Sequence, residues 1–99
     1  MEVKITNEAE KTLVKLIGRV DTTNAEKFQA DLSPFMSGQQ NLEIDCSELD
    51  YTSSQGLRVF LVLQKSVVAN GGEMVLKDMK PQVKEVFDIT GFSSIIKIE

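Results

Sequence analysis

The residues with the most specific chemical content lie in SELDYTSSQGLRVF, Ser47 to Phe60, where adjacent hydroxyls at Thr52, Ser53 and Ser54 run into Gly56 and an apolar stretch. The segment reads as the end of a strand, a hydroxyl-rich turn and the start of a helix. The free amides and macrodipole of a helix start favour negative charge, and no acidic side chain occupies Ser53 to Leu57. Two roles are open to the paired serines. One of them caps the helix through its side-chain oxygen, or a cap serine in an exposed loop is the substrate of a serine kinase.

Other chemistry is narrowed by what the chain lacks. It contains no histidine, which removes Ser-His-Asp and Cys-His nucleophiles, His-ligated zinc and imidazole acid-base catalysis. Neither a Walker loop nor a GxGxxG pattern occurs, so no nucleotide-phosphate cradle, cofactor or metal is expected. Cys46 stands alone on an alternating segment and reads as a small buried hydrophobe. Asp21, just before the Thr23 cap, reads as a turn residue; Asp45 is either a carboxylate partner of the serine turn or a polar strand position. Carboxylate or lysine chemistry is what remains for catalysis, with a small carboxylate enzyme or nucleotide-binding protein as the rival class, and an interaction protein fits the residues better.

The 99 residues suit one domain with one core, and 41% apolar with 26% charged residues is an ordinary globular balance. A net charge of −4 disfavours direct binding to a phosphate backbone. A single cysteine, with no basic-then-apolar leader and no long apolar run, places the chain in the cytoplasm without membrane insertion.

The elements that must position the serine turn follow from periodicity and punctuation. Val3 to Thr6 and Thr12 to Ile17 read as two strands of a hairpin. Ala25, Phe28, Leu32 and Phe35 recur at helical spacing, with Thr23 and Glu26 fitting a capping box, so a first helix is expected from near Thr22. Pro34 predicts a kink or an early end, followed by a loop over SGQQ. Asn41 to Cys46 alternates as a strand. Gly56 to Ala69 is long enough for a helix, with an inner stripe at Leu57, Phe60, Leu61, Gln64 and Val68, and NGG at Asn70 to Gly72 stops it. EMVLKD is a further strand, and Pro81 opens a short helix with Val83, Val86 and Phe87 inward, ended by Gly91. SIIKIE closes the chain as a strand. The order β-β-α-β-α-β-α-β implies an α/β fold with right-handed crossovers and a mixed sheet of four to five strands covered by helices.

Three stretches together carry a family resemblance: GRVD at Gly18 to Asp21, LEIDCSELDY at Leu42 to Tyr51 running into TSSQGL at Thr52 to Leu57, and NGGEMVLKDMKPQVKEVFDITGF at Asn70 to Phe92. In this combination the chain resembles a stand-alone STAS domain of the bacterial anti-sigma factor antagonists, over essentially all of residues 1–99. The resemblance implies that an anti-sigma factor serine kinase binds the unmodified protein, which frees a sigma factor, so the sigma factor is engaged only indirectly. It implies that the kinase phosphorylates Ser54, with Ser53 the second candidate, and that a phosphoserine phosphatase reverses the step. The partner surface it implies comprises Asp21, Thr22, Ser53, Ser54, Gln55, Gly56 and Arg58. The alternative is a STAS interaction module in another partner-switching, stress-signalling or lipid-transport assembly.

Overall fold

The structure is a computed structural model describing residues 1–99. Its elements are β1 (Glu2–Asn7), β2 (Thr12–Val20), α1 (Ala25–Leu32), β3 (Asn41–Thr52), α2 (Ser54–Ala69), β4 (Glu73–Lys77), α3 (Pro81–Ile89) and β5 (Lys97–Ile98). One sheet has the order β1-β2-β3-β4-β5, with β1 antiparallel to β2 and every later neighbour parallel. The expected mixed sheet and hairpin are present. Right-handed crossovers that step the same way across a sheet put their helices on one face. Burial agrees: Val14, Leu16, Leu42, Ile44, Met74 and Leu76 are in the core, while Lys15, Glu43, Asp45 and Lys77 on the other face are only half-buried. That second face carries ion pairs, among them Lys15–Glu48 at 2.7 Å and Lys77–Glu43 at 2.9 Å.

The helices are joined through aromatic rings. Phe28 of α1 meets Phe60 of α2 at 5.3 Å between centroids, Phe60 meets Phe87 of α3 at 5.5 Å, and both contacts are edge-on, the geometry favoured by the ring quadrupole. Ala25, Phe28, Leu32 and Phe35 are all buried, as the helical spacing requires. Pro34 ends α1 early by opening a 3-10 turn over Ser33–Met36. Gly71, at φ 83°, closes α2: its N–H bonds Val68 O and that of Gly72 bonds Val67 O, a Schellman stop.

Four local expectations are corrected. The helix expected from near Thr22 starts at Ala25, and no capping box forms, because Asp21 Oδ1 captures both the amide and the hydroxyl of Thr23. The strand expected to end at Cys46 runs on to Thr52. Its pairing with β2 slips twice, between Lys15 and Ile17 and between Gly18 and Arg19, with an extra β3 residue at each slip. Each bulge resets the alternation, so the buried positions step by three, Cys46, Leu49, Thr52, and the period-two signal disappears. The inner stripe of α2 is Gly56, Phe60, Leu63 and Val67, with Leu57 and Val59 beside it; Leu61 and Gln64 are half-buried and Val68 is 56% exposed. Apolar residues on nearly every side of this helix satisfy more than one stripe. Finally, β5 is two residues long, because Phe92 O takes the amides of both Ile95 and Ile96 in a 3-10 turn.

Candidate functional site

Parallel pairing brings the ends of β2 and β3 level, with Val20 opposite Thr52 and Ser53 N–H donating to Val20 O at 2.9 Å. The segment after β2 and the start of α2 therefore leave the same end of the sheet side by side. The carboxyl end of parallel strands is where open α/β sheets present their binding residues. The hydroxyl-rich turn expected between strand and helix is a single residue: β3 runs through Thr52, and Ser53 alone connects it to α2.

The two serines have separate positions. Ser53 is the N-cap in extended conformation (φ −82°, ψ 173°), its Oγ accepting the Gly56 amide at 3.1 Å, and it is only 9% exposed. Ser54 is the first helical residue and is exposed. The expected cap and the expected exposed hydroxyl are thus different residues. Gln55 and Arg58 are exposed on the first turns, whereas Gly56 is buried against the ends of β2 and β3. Ser53 and Gly56 accordingly shape the turn from beneath, and Thr22, Ser54, Gln55 and Arg58 form its outer surface. A shallow groove of about 270 Å³ lies between α1 and α2, lined by residues including Thr22, Glu26, Gln29, Gln55 and Arg58.

Asp21 sits at the head of the neighbouring turn. Hydrogen bonding from the Thr23 hydroxyl, then from the Thr23 amide, holds its carboxyl below the usual carboxylate range, with Arg19 adding a smaller effect at 3.3 Å. Asn24 locks this turn: its Oδ1 accepts from Asp21 N–H at 2.9 Å and its Nδ2 donates to Arg19 O at 2.9 Å. The amino-acid sequence carries a sign of this role in the DTTN run, since Asn side chains bond local backbone readily, whereas capping-box spacing points to Thr23. Arg19 also lies over the Tyr51 ring, 4.8 Å from its centroid.

The remaining acids do not converge on Ser54. Asp45 is seven positions before Thr52 on β3 and accepts the Ser47 amide at 2.9 Å, so it is roughly 20 Å away along the strand and serves as a polar strand residue. Glu48 and Asp50 are paired with Lys15 and Lys80. Cys46 is fully buried, and burial first, with Asp45 and Asp78 adding to it, pushes its thiol up to about 12. Because the thiolate is the reactive form, a maleimide should leave Cys46 unmodified in the native protein and label it fully in denaturant. Rapid native labelling would contradict this burial.

A family model described as the STAS domain matches residues 1–99. BtrV of Bordetella bronchiseptica, named as a candidate anti-sigma factor antagonist, is 43% identical over 84 residues, covering 84% of this chain and 72% of the relative. The anti-sigma-B factor antagonist of Bacillus subtilis is 32% identical over 85 residues, covering 86% and 78%. Among solved structures, the anti-sigma factor antagonist SpoIIAA in its unphosphorylated form superposes with a TM-score of 0.81 at 19% identity, over 99% of this chain and 88% of that one. The Bacillus SpoIIAA in its phosphorylated form gives 0.73 at 17%, over 99% and 91%; these likenesses concern the fold.

Proposed function

The chain belongs to the anti-sigma factor antagonist family of STAS domains, and on that premise we propose that it is the phosphorylation-controlled antagonist in a partner switch. The unmodified protein binds an anti-sigma factor that is also a serine kinase, and a sigma factor is thereby released. The kinase then transfers the γ-phosphoryl group of its own ATP to Ser54 Oγ, ADP leaves, and the modified protein is no longer bound. A phosphoserine phosphatase restores the starting state. Residues 1–99 act as one STAS domain in the cytoplasm, as a regulatory switch and not as a catalyst.

The observation that carries this reading is the division of labour between adjacent serines. Ser53 is buried with its Oγ engaged by the Gly56 amide, while Ser54 is exposed one residue later at the start of α2. Modifying Ser53 would remove a cap worth about 0.5–2 kcal/mol; modifying Ser54 leaves the cap in place. The surrounding surface supports protein contact, since Thr22, Gln55 and Arg58 lie exposed around the hydroxyl. Incubation with the cognate kinase and ATP, followed by mass-spectrometric mapping, should place the phosphate on Ser54. Recovery mainly on Ser53 or Thr52 would overturn the assignment.

A further inference from the structure

Nine of the eleven basic residues are within ion-pair distance of a carboxylate, and the two left over are Arg58 and Lys65, both on α2. Their helix supplies no counter-ion, because SQGLRVFLVLQKSVVA contains no acidic residue. Arg58 is exposed, and it stands four positions after Ser54. Residues at this spacing are neighbours on a helix surface, and the order with the acid N-terminal to the base is the more favourable one. An arginine without a partner therefore stands one turn from the hydroxyl proposed to receive a phosphate.

We infer that Arg58 is the built-in counter-ion of phosphorylated Ser54. This rests on the proposal that Ser54 is modified. A phosphoserine carries about −1.5 to −2 charges and three acceptor oxygens, and the planar guanidinium fork matches two of them at once, which an ammonium cannot do. No rival anion holds Arg58: Glu26 of α1 lines the same groove outside ion-pair distance, and Asp21 is already engaged by Thr23 and Arg19. In the unmodified protein the guanidinium is free to meet an acidic group on a partner. In the modified protein it is turned back onto its own helix, so one phosphate both adds negative charge to the surface and withdraws the positive charge beside it.

The test uses protein carrying phosphoserine at position 54 by co-translational incorporation, so that no kinase has to choose the site. The ³¹P resonance is followed against pH in the wild-type background and in Arg58→Gln and Arg58→Lys. The phosphate's second pKa is expected to lie about 0.15–0.4 units lower in the wild-type background than in Arg58→Gln, the scale of an exposed pair at this spacing, with the lysine variant retaining part of the shift. Glu26, Asp21 and the Asp50–Lys80 pair act on the phosphate in all three proteins, so their influence cancels in the comparison. Equal values for wild type and Arg58→Gln, with unchanged amide shifts elsewhere, would overturn the inference while leaving the phosphorylation site untouched. Phosphate mapped by the kinase assay to Ser53 or Thr52 would instead overturn the assignment of Ser54 as the modified residue and leave this titration valid.

Discussion

Ser54→Asp is expected to weaken the complex with the anti-sigma kinase by about a hundredfold or more, whereas Ser54→Ala should leave the affinity nearly unchanged. An interface built around a neutral hydroxyl must strip water from the new carboxylate. A hundredfold loss corresponds to about 2.7 kcal/mol; a charge desolvated at an interface costs several kcal/mol, and an exposed i,i+4 pair with Arg58, worth about 0.2–0.5 kcal/mol, offsets little of it, so the magnitude is adequate. The fold should survive both changes. Ser54 is exposed, the cap belongs to Ser53, and negative charge at an exposed helix start is favourable by about 0.3–1 kcal/mol. Glu48 and Asp50, the acids that precede the turn, are neutralised by Lys15 and Lys80, which leaves little to oppose that gain. Release must then arise at the partner surface. Titration calorimetry supplies the affinities, and amide shifts show whether the change stays local to the Ser54 turn. Equal affinities for wild type and Ser54→Asp would defeat a charge switch at this residue, and shifts spreading through Pro81 to Thr90 and the last strand would require a conformational one.

Gly56→Ala should be the most damaging single methyl group at the site. An added Cβ would lie 2.4 Å from Thr52 Oγ1 and 2.8 Å from Val20 Cγ1. Both neighbours are buried at 2% and 0% exposure, so α2 has to lift from the sheet. Overpacking of this kind costs about 1–3 kcal/mol. The opposing gain in helix propensity of alanine over glycine is at most about 1 kcal/mol, and a methyl that displaces buried neighbours outweighs it. For a domain of this size, each kcal/mol lowers Tm by about 4–8 °C, so a fall of roughly 5–15 °C is expected in a thermal melt. Lifting the helix also moves Ser54 away from the Asp21 turn, so kinase binding should fall together with stability. An unchanged Tm would mean that α2 shifts without cost and that close helix–sheet contact at Gly56 does not seat the turn.

Several features were decided within the chain's local text. Helical spacing placed Ala25, Phe28, Leu32 and Phe35 in the core, where they are buried. Pro34 and the Asn70 to Gly72 run ended their helices, because ring closure and left-handed backbone act over one or two residues. The lack of histidine restricted the chemistry whatever the fold. What depended on partners far away in the chain was decided only by folding. The last six residues of β3 are strand because β2 accommodates two bulges there, and a bulge erases the alternation by which a strand is legible. Ser53 and Ser54 are identical side chains in adjacent positions. Which one caps follows from the Ser53 amide being tied to Val20 O, thirty-three residues earlier. Asn24 rather than Thr23 secures the turn because it reaches back to Arg19 O at the strand end. Arg58 stands alone because its own helix holds no acidic residue and folding brings it none; Lys27 and Lys84 find carboxylates four residues along their own helices, a local feature, whereas Lys11, Lys15, Lys77 and Lys80 obtain theirs from β3, which only three-dimensional neighbours decide.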